Sequence, residues 1–223
     1  MSEGRLRVAV LISGQGTNML AIARAAASGA IAASIVRVIA DRDAAGGIAA
    51  AERIGLPASV VAASQSADRG QFEAALTAVI EESRARLLVL AGFMRILSAP
   101  FVQRYAGRLL NIHPSLLPKY RGLHTHRRAL LAGEHEHGAS VHYVTAELDD
   151  GPVIYQARVP VLPGDTEQSL AARVQLQEHR IYPQAIGLIA AGRLQLAGGT
   201  ILLDGKPLAA PLMEPYASTP NHG

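Results

Sequence analysis

Leu6-Arg7-Val8-Ala9-Val10-Leu11-Ile12-Ser13-Gly14-Gln15-Gly16-Thr17-Asn18 reads as a buried strand passing through a glycine loop into a helical run that begins near Met19. Such a loop exposes backbone N–H groups at the positive end of the helix dipole, where a phosphate binds. It lacks the third glycine of a dinucleotide fingerprint and the lysine of a P-loop. Taken alone, it reads equally as a phosphate site or as an ordinary tight turn. The same rhythm continues downstream. Ser34 to Ala40 is a second strand, Asp41-Arg42-Asp43 leads into a helix through Arg53 that Gly55 and Pro57 end, and Ala58 to Ala62 is a short third strand. Asp68, three residues before Gln71, opens a helix whose apolar stripe is Phe72, Leu76, Val79 and Ile80 and which reaches Arg84. Leu87 to Ala91 is a fourth buried strand. Strands alternating with helices predict an α/β fold, a Rossmann-like three-layer sandwich around a mostly parallel sheet.

Composition agrees with this class and excludes others. The 223 residues are 49% hydrophobic and only 4% aromatic, enough for a well-buried aliphatic core between helices. There is no cysteine, so neither a disulfide framework nor a thiolate metal site is available. Without a secretory signal or a membrane-length apolar run, a cytoplasmic location is expected. A net charge of +3, scattered and without a basic run, predicts no nucleic-acid partner and no membrane partner. Small-molecule substrates remain, for a monomer or homodimer.

The second half changes character at Leu109-Leu110-Asn111-Ile112-His113-Pro114-Ser115-Leu116-Leu117-Pro118. The leucines end a buried strand, and the two prolines forbid a regular helix after it. Asn111 and His113 are two apart and project to the same side of that strand. Such a pair suits acyl chemistry, in which a donor meets a developing oxyanion and an imidazole carries a proton. A capping Asn and a packed His are the plain alternative. Beyond lie a short helix, His126 to Ala132, and two strands, Gly138 to Val144 and Val153 to Val159, joined by Asp149-Asp150-Gly151-Pro152. Their close spacing makes them antiparallel, so the sheet becomes mixed toward the C-terminal half. Thr166 caps a long helix with Glu167 in its first turn and Gln175 and Glu178 on one face. Pro183 predicts a kink or break in it. Beyond Gly192 a hairpin turns at Asp204-Gly205, between Ile201–Leu203 and Pro207-Leu208, and a mobile Pro-rich tail follows.

Asn111 to Pro118 resembles the signature of the folate-dependent formyltransferases. The run on through Lys119, Tyr120 and Leu123-His124-Thr125-His126 is similar to the branch acting on glycinamide ribonucleotide. The resemblance extends from about Val8 to about Pro183. It implies transfer of the formyl group from 10-formyltetrahydrofolate, as co-substrate, to the glycine amine of the ribonucleotide, in purine biosynthesis and without a metal. It implies that Asn111, His113 and Asp149 are catalytic, and that Gly16, Thr17, Asn18, Gln175 and Glu178 hold the ribonucleotide. The folate would be held by Arg69, Met94, Arg95, Ile96, Leu97, Asn111, Thr145, Ala146, Glu147, Leu148 and Asp149. Arg69 would lie near the acidic tail of the folate and Met94 to Leu97 against its pterin; a solvated charge at Arg69 and core packing at Phe93 are the plain readings. His142 is shared with the family, in catalysis or as support of its strand. The chain would then be one domain over 1–223, with a nucleotide-binding half (1–110), a catalytic and folate-binding half (111–190) and a hairpin with tail (191–223).

Competing readings are narrower. His124 with His126, and His135 with His137, form clusters of the kind that bind zinc or nickel. Neither has a carboxylate or thiolate at ligand spacing; the first pair is expected on a mobile loop near the site and the second facing water. Related enzymes on the same domain are a tRNA-directed formyltransferase, expected to carry a further domain after residue 200, and a formyltetrahydrofolate hydrolase, expected to carry one ahead of the glycine loop. A nucleotide-binding sensor without turnover is the reading from another class. The family has glycine where this chain has Asp150, which places a second carboxylate beside Asp149.

Overall fold

The computed structural model describes residues 4–216. In chain order the elements are β1 (Leu6–Ile12), α1 (Thr17–Ala27), β2 (Ala33–Ala40), α2 (Gly46–Arg53), β3 (Ala58–Val60), α3 (Arg69–Ser83), β4 (Leu87–Leu90), α4 (Ala99–Arg104), β5 (Leu109–His113), α5 (Thr125–Leu131), β6 (Glu136–Tyr143), β7 (Val153–Pro160), α6 (Glu167–Ala190), β8 (Leu194–Ala197), β9 (Thr200–Leu203), β10 (Lys206–Pro207) and β11 (Leu212–Glu214). The main sheet has the order β11-β7-β6-β5-β4-β1-β2-β3, and β10-β9-β8 form a separate small sheet. Strands β1 to β5 run parallel. The sheet becomes mixed where β6 pairs antiparallel with β5 and β7.

Alternation along each strand divides the interior into two cores. Val8, Val10 and Ile12 pack with Met19 and Ile22 of α1 and Val174, Ile181 and Ala185 of α6. Ala9 and Leu11 pack on the other face with Phe72, Leu76 and Ile80 of α3 and Phe101 and Val102 of α4. Burial of both faces is why these strands read as continuous apolar runs. From β5 onward the faces diverge in chemistry. Leu110, Ile112, Ala139, Val141 and Tyr143 stay in the core under α6. The opposite face carries Asn111, His113, Ser140, His142 and Gln156, and its roof is the irregular segment Pro114–His124.

Two expectations are corrected. Pro183 does not interrupt α6, which runs unbroken for 24 residues. Ile181, Tyr182, Ala185 and Ile186 are fully buried around it, and the Tyr182 hydroxyl donates to the carbonyls of Leu90 and Leu110, so packing outweighs the one lost helical bond. The segment after the hairpin is not simply a tail. Leu212–Glu214 adds to the sheet edge beside Tyr155–Ala157, and Glu214 accepts from Arg180 and from the Tyr155 hydroxyl; the remainder of the expected tail, 217–223, lies outside the described residues. The hairpin at Asp204-Gly205 forms, with a further strand, β8, ahead of it. Helix α4 has no counterpart in the sequence reading. Its signal is Ser98, which caps it by accepting from the Phe101 N–H, with Pro100 in the first turn. No described helix is long and apolar enough to cross a membrane.

Candidate active site

Leu109 lies in the α3 and α4 core, so Asn111 and His113, two and four residues on, leave the sheet on that same face. Antiparallel pairing sets Asn111 opposite His142 and His113 opposite Ser140. The His142 Nδ1 donates to the Tyr143 carbonyl at 2.9 Å, which leaves Nε2 as an acceptor. Burial pushes the pKa of this ring down to about 4, so it stays neutral at pH 7. The Asn111 amide therefore turns its NH2 toward His142, with Nδ2 at 3.2 Å from Nε2. One N–H of Asn111 is tied and the other remains available to a ligand.

Asp149 sits in the turn between β6 and β7 with φ near +50°, and its carboxylate bridges three elements. Oδ2 accepts the Gly122 N–H at 2.9 Å and lies 3.4 Å from His113 Nδ1, while Oδ1 lies 3.7 Å from His142 Nε2. On its other side, His113 Nε2 donates to the Tyr120 carbonyl at 2.9 Å. The side chains of His113 and Asp149 are buried. The turn closes through Gly151, where a Cβ would lie 1.8 Å from the Tyr143 carbonyl oxygen, so no larger residue fits. Asp150 points away and pairs with Arg121.

The roof is held by two residues absent from the sequence-derived set. Ser140 Oγ accepts the Leu117 N–H and a Gln156 N–H and donates to the Ser115 carbonyl; Gln156 also donates to the Leu117 carbonyl. The segment between the two prolines cannot satisfy its own backbone as a helix, and these buried side chains do so instead. The sequence signal of Ser140 is its alternation with His142 in the run Gly138 to Tyr143, and that of Gln156 is a lone amide between Tyr155 and Ala157 in β7.

The expected ribonucleotide residues come from both ends of the chain and meet. Gly16 has φ +72° at the N-cap of α1; a Cβ there would lie 3.1 Å from the Gly47 backbone. Gln175 donates to the Thr17 hydroxyl at 3.2 Å, and Asn18 Nδ2 donates to Glu178 Oε2 at 2.7 Å. Burial pushes the Glu178 carboxyl up, partly countered by that bond. The Asn18 Oδ1 is buried without a protein partner, an acceptor open to a ligand N–H.

Arg69, Met94, Arg95 and Ile96 line one cavity of about 460 Å³ beside Phe72. Leu97 does not join them: with Phe93 it is buried in the α3 and α4 core. Thr145 to Leu148 form the connection leading into Asp149 and do not line that cavity. The histidine clusters also divide. His135 is exposed, but His137, expected to face water, is 1% exposed. It lies 3.2 Å from His126, which sits within α5 rather than on an irregular loop. Burial and the neighbouring His126 push its pKa down to about 4. Among the described residues no group of three His, Asp or Glu is arranged to hold a metal ion.

A family model described as formyl transferase matches residues 6–186. The chain is 49% identical over 203 residues to the phosphoribosylglycinamide formyltransferase of Escherichia coli (strain K12), covering 91% of this chain and 96% of that one. It superposes on the phosphoribosylglycinamide formyltransferase of Coxiella burnetii with a TM-score of 0.90 and 48% identity, over 95% of this chain and all of the other. A formyltetrahydrofolate deformylase from Pseudomonas syringae gives a TM-score of 0.83 at 25% identity, over 91% of this chain and 67% of that one.

The two depressed histidines have a consequence for stability. Between about pH 4 and the ordinary imidazole value near ~6.5, the unfolded chain binds protons at His137 and His142 that the folded chain does not. Stability therefore rises with pH across this window and falls on acidification. Each ring contributes a slope of at most about 1.4 kcal/mol per pH unit. Urea midpoints measured from pH 4.5 to 7 should show a shallower slope for His142→Gln than for the wild type; identical slopes would contradict the buried neutral ring.

Proposed function

The chain belongs to the formyl transferase family, and from that premise we propose that it transfers the formyl group of 10-formyltetrahydrofolate to the glycine amine of glycinamide ribonucleotide, releasing tetrahydrofolate, in purine biosynthesis. The observation that carries this reading is the Asp149 carboxylate held between His113 and the Gly122 N–H, next to an Asn111 amide that His142 orients. The chain acts as one unit, since each substrate subsite draws on residues far apart in sequence.

An amine of this kind has a pKa of roughly 8, so an appreciable neutral fraction exists at pH 7. Its lone pair adds to the formyl carbon, the carbonyl electrons move to oxygen, and a tetrahedral oxyanion forms. Asn111 donates its free N–H to that oxygen. His113 stands beside it with both ring nitrogens facing acceptors, the Tyr120 carbonyl and Asp149, an environment that accommodates N–H at each. Collapse breaks the bond to N10, which takes up a proton as the attacking nitrogen loses one. Asp149 directs that transfer through an intervening water. Most of the rate arises from holding the amine against the formyl carbon. The Thr17, Asn18, Gln175 and Glu178 cluster gives the amine's carrier a place beside the site, which a hydrolase would not need.

Replacing Asp149 by Asn keeps the shape and removes the charge. It should lower kcat by roughly a hundredfold, the usual scale of acid–base assistance, with both KM values near those of the wild type. Asp150→Asn, which removes a residue turned toward Arg121, should leave kcat nearly unchanged; the reverse pattern would assign the proton transfer to the wrong carboxylate. Glu178→Ala should raise the ribonucleotide KM by about tenfold, the scale of a lost hydrogen bond to a charged group, and spare the folate KM. A selective rise in the folate KM instead would refute the assignment of the α1 and α6 cluster.

A further inference from the structure

The carboxyl ends of three neighbouring strands, β1, β2 and β4, converge on one buried carboxylate that no step above uses. The Asp41 side chain, just past β2, is 0% exposed. Its Oδ2 accepts Arg95 Nε at 2.8 Å, and its Oδ1 accepts Arg42 Nε at 3.1 Å. The Asp41 N–H donates to the Ile12 carbonyl, directly before Ser13 at the end of β1. The Ser13 Oγ in turn accepts the Met94 N–H at 2.9 Å, and the Ser13 N–H donates to the Gly92 carbonyl. The Gly92–Leu97 segment is thus fixed at two points, the Arg95 guanidinium by the Asp41 carboxylate and the Met94 backbone by Ser13.

A carboxylate taken out of water needs strong partners to remain charged. Burial raises the pKa of Asp41, but bonds from Arg42 and Arg95, with the nearby Ser13 hydroxyl, outweigh this and hold it below the usual carboxylate range. The anchor is therefore charged at every pH at which the protein would work. Arg95 uses Nε for Asp41 and lies 5.7 Å from the Phe72 ring centroid. Both contacts aim the guanidinium along the cavity that Arg69, Phe72, Met94 and Ile96 line, with its terminal nitrogens available to acceptors of a ligand there.

We propose that Asp41 is a positioning residue for the folate subsite: it touches no substrate, but it sets the Arg95 guanidinium, beside the Met94 backbone that Ser13 holds, in the geometry that receives the heterocycle and its carboxylate tail. The proposal rests on the reading of that cavity as the folate subsite. Ser13 directly precedes the glycine loop, so its bonds to Gly92 and Met94 also tie the segment that carries Arg95 to that loop.

The test is Asp41→Asn in the full chain, read by steady-state kinetics and by calorimetric titration with 5-formyltetrahydrofolate, which reports folate binding independently of turnover. The folate KM and the calorimetric Kd should rise about tenfold, the scale of a lost charge-assisted hydrogen bond, while kcat and the ribonucleotide KM stay within about twofold. A double-mutant cycle separates positioning from general loosening. In an Arg95→Ala background, Asp41→Asn should weaken folate binding by less than about twofold. Equal losses for both substrates, or the full tenfold effect in the absence of Arg95, would overturn the proposal. Ser13→Ala, which leaves the Asp41–Arg95 pair intact, should give a smaller, folate-selective loss, and Asp41→Glu, which keeps the charge but displaces the acceptor of Arg95, should weaken folate binding selectively and provides the reading if Asp41→Asn does not fold. Wild-type protein that binds the folate but shows no transfer would contradict the proposed function while leaving the calorimetric test of Asp41 in force.

Discussion

The antiparallel register of β5 against β6 is the constraint from which the site follows. With Asn111 opposite His142 and His113 opposite Ser140, these four polar residues lie on the face away from α6, while Leu110, Ile112, Ala139, Val141 and Tyr143 lie on the face beneath it. A slip of one residue would drive the imidazoles into the aliphatic core and turn Ile112 and Val141 outward. Hydrophobic burial under α6 thus fixes the position of groups that contribute nothing to that burial. The register in turn sets the Asn111 amide, because a neutral His142 accepts only the NH2 side of it.

A polar sheet face cannot be covered by an apolar helix without leaving donors and acceptors unpaired. Here the cover is an irregular segment whose backbone the face itself satisfies, through Ser140, Gln156 and His113, and whose Gly122 N–H reaches Asp149. The roof and the face are mutually dependent, so the geometry of the reacting groups is tied to the folding of the segment above them. One of the buried polar atoms left without a partner among the described residues is informative in the same way. Asn18 Oδ1 has no protein partner at the point where α1 and α6 bring an amide and a carboxylate together, as expected of a site completed by its ligand.

Much of this was legible in the sequence because it rests on local rules. The strand–glycine–helix rhythm from Leu6 to Ala91, the two prolines after His113 and the spacing of Gln175 and Glu178 each predict structure with one physical reason. What escaped the sequence depends on tertiary context. Pro183 stays helical because its surroundings are fully packed, which no local propensity reveals. His137 looks like one of a surface pair and is instead buried against His126, because β6 is central in the mixed sheet. Leu97 shares a loop with Met94 and Ile96 but turns inward, and Asp41 reads as a charged turn residue until the segment that carries Arg95 is folded against it. Asp149 was carried by resemblance; its partners, Gly122 and two histidines, come from segments that spacing alone does not join.

Passing the formyl group to an amine and not to water sets this site apart from a hydrolase, and the release of tetrahydrofolate, followed by absorbance, distinguishes the two. With 10-formyltetrahydrofolate and glycinamide ribonucleotide together, tetrahydrofolate and N-formyl product should form stoichiometrically, with negligible deformylation when the ribonucleotide is omitted. Deformylation at the same rate without the ribonucleotide would contradict it and make the Asn111, His113 and Asp149 cluster the site of a hydrolase.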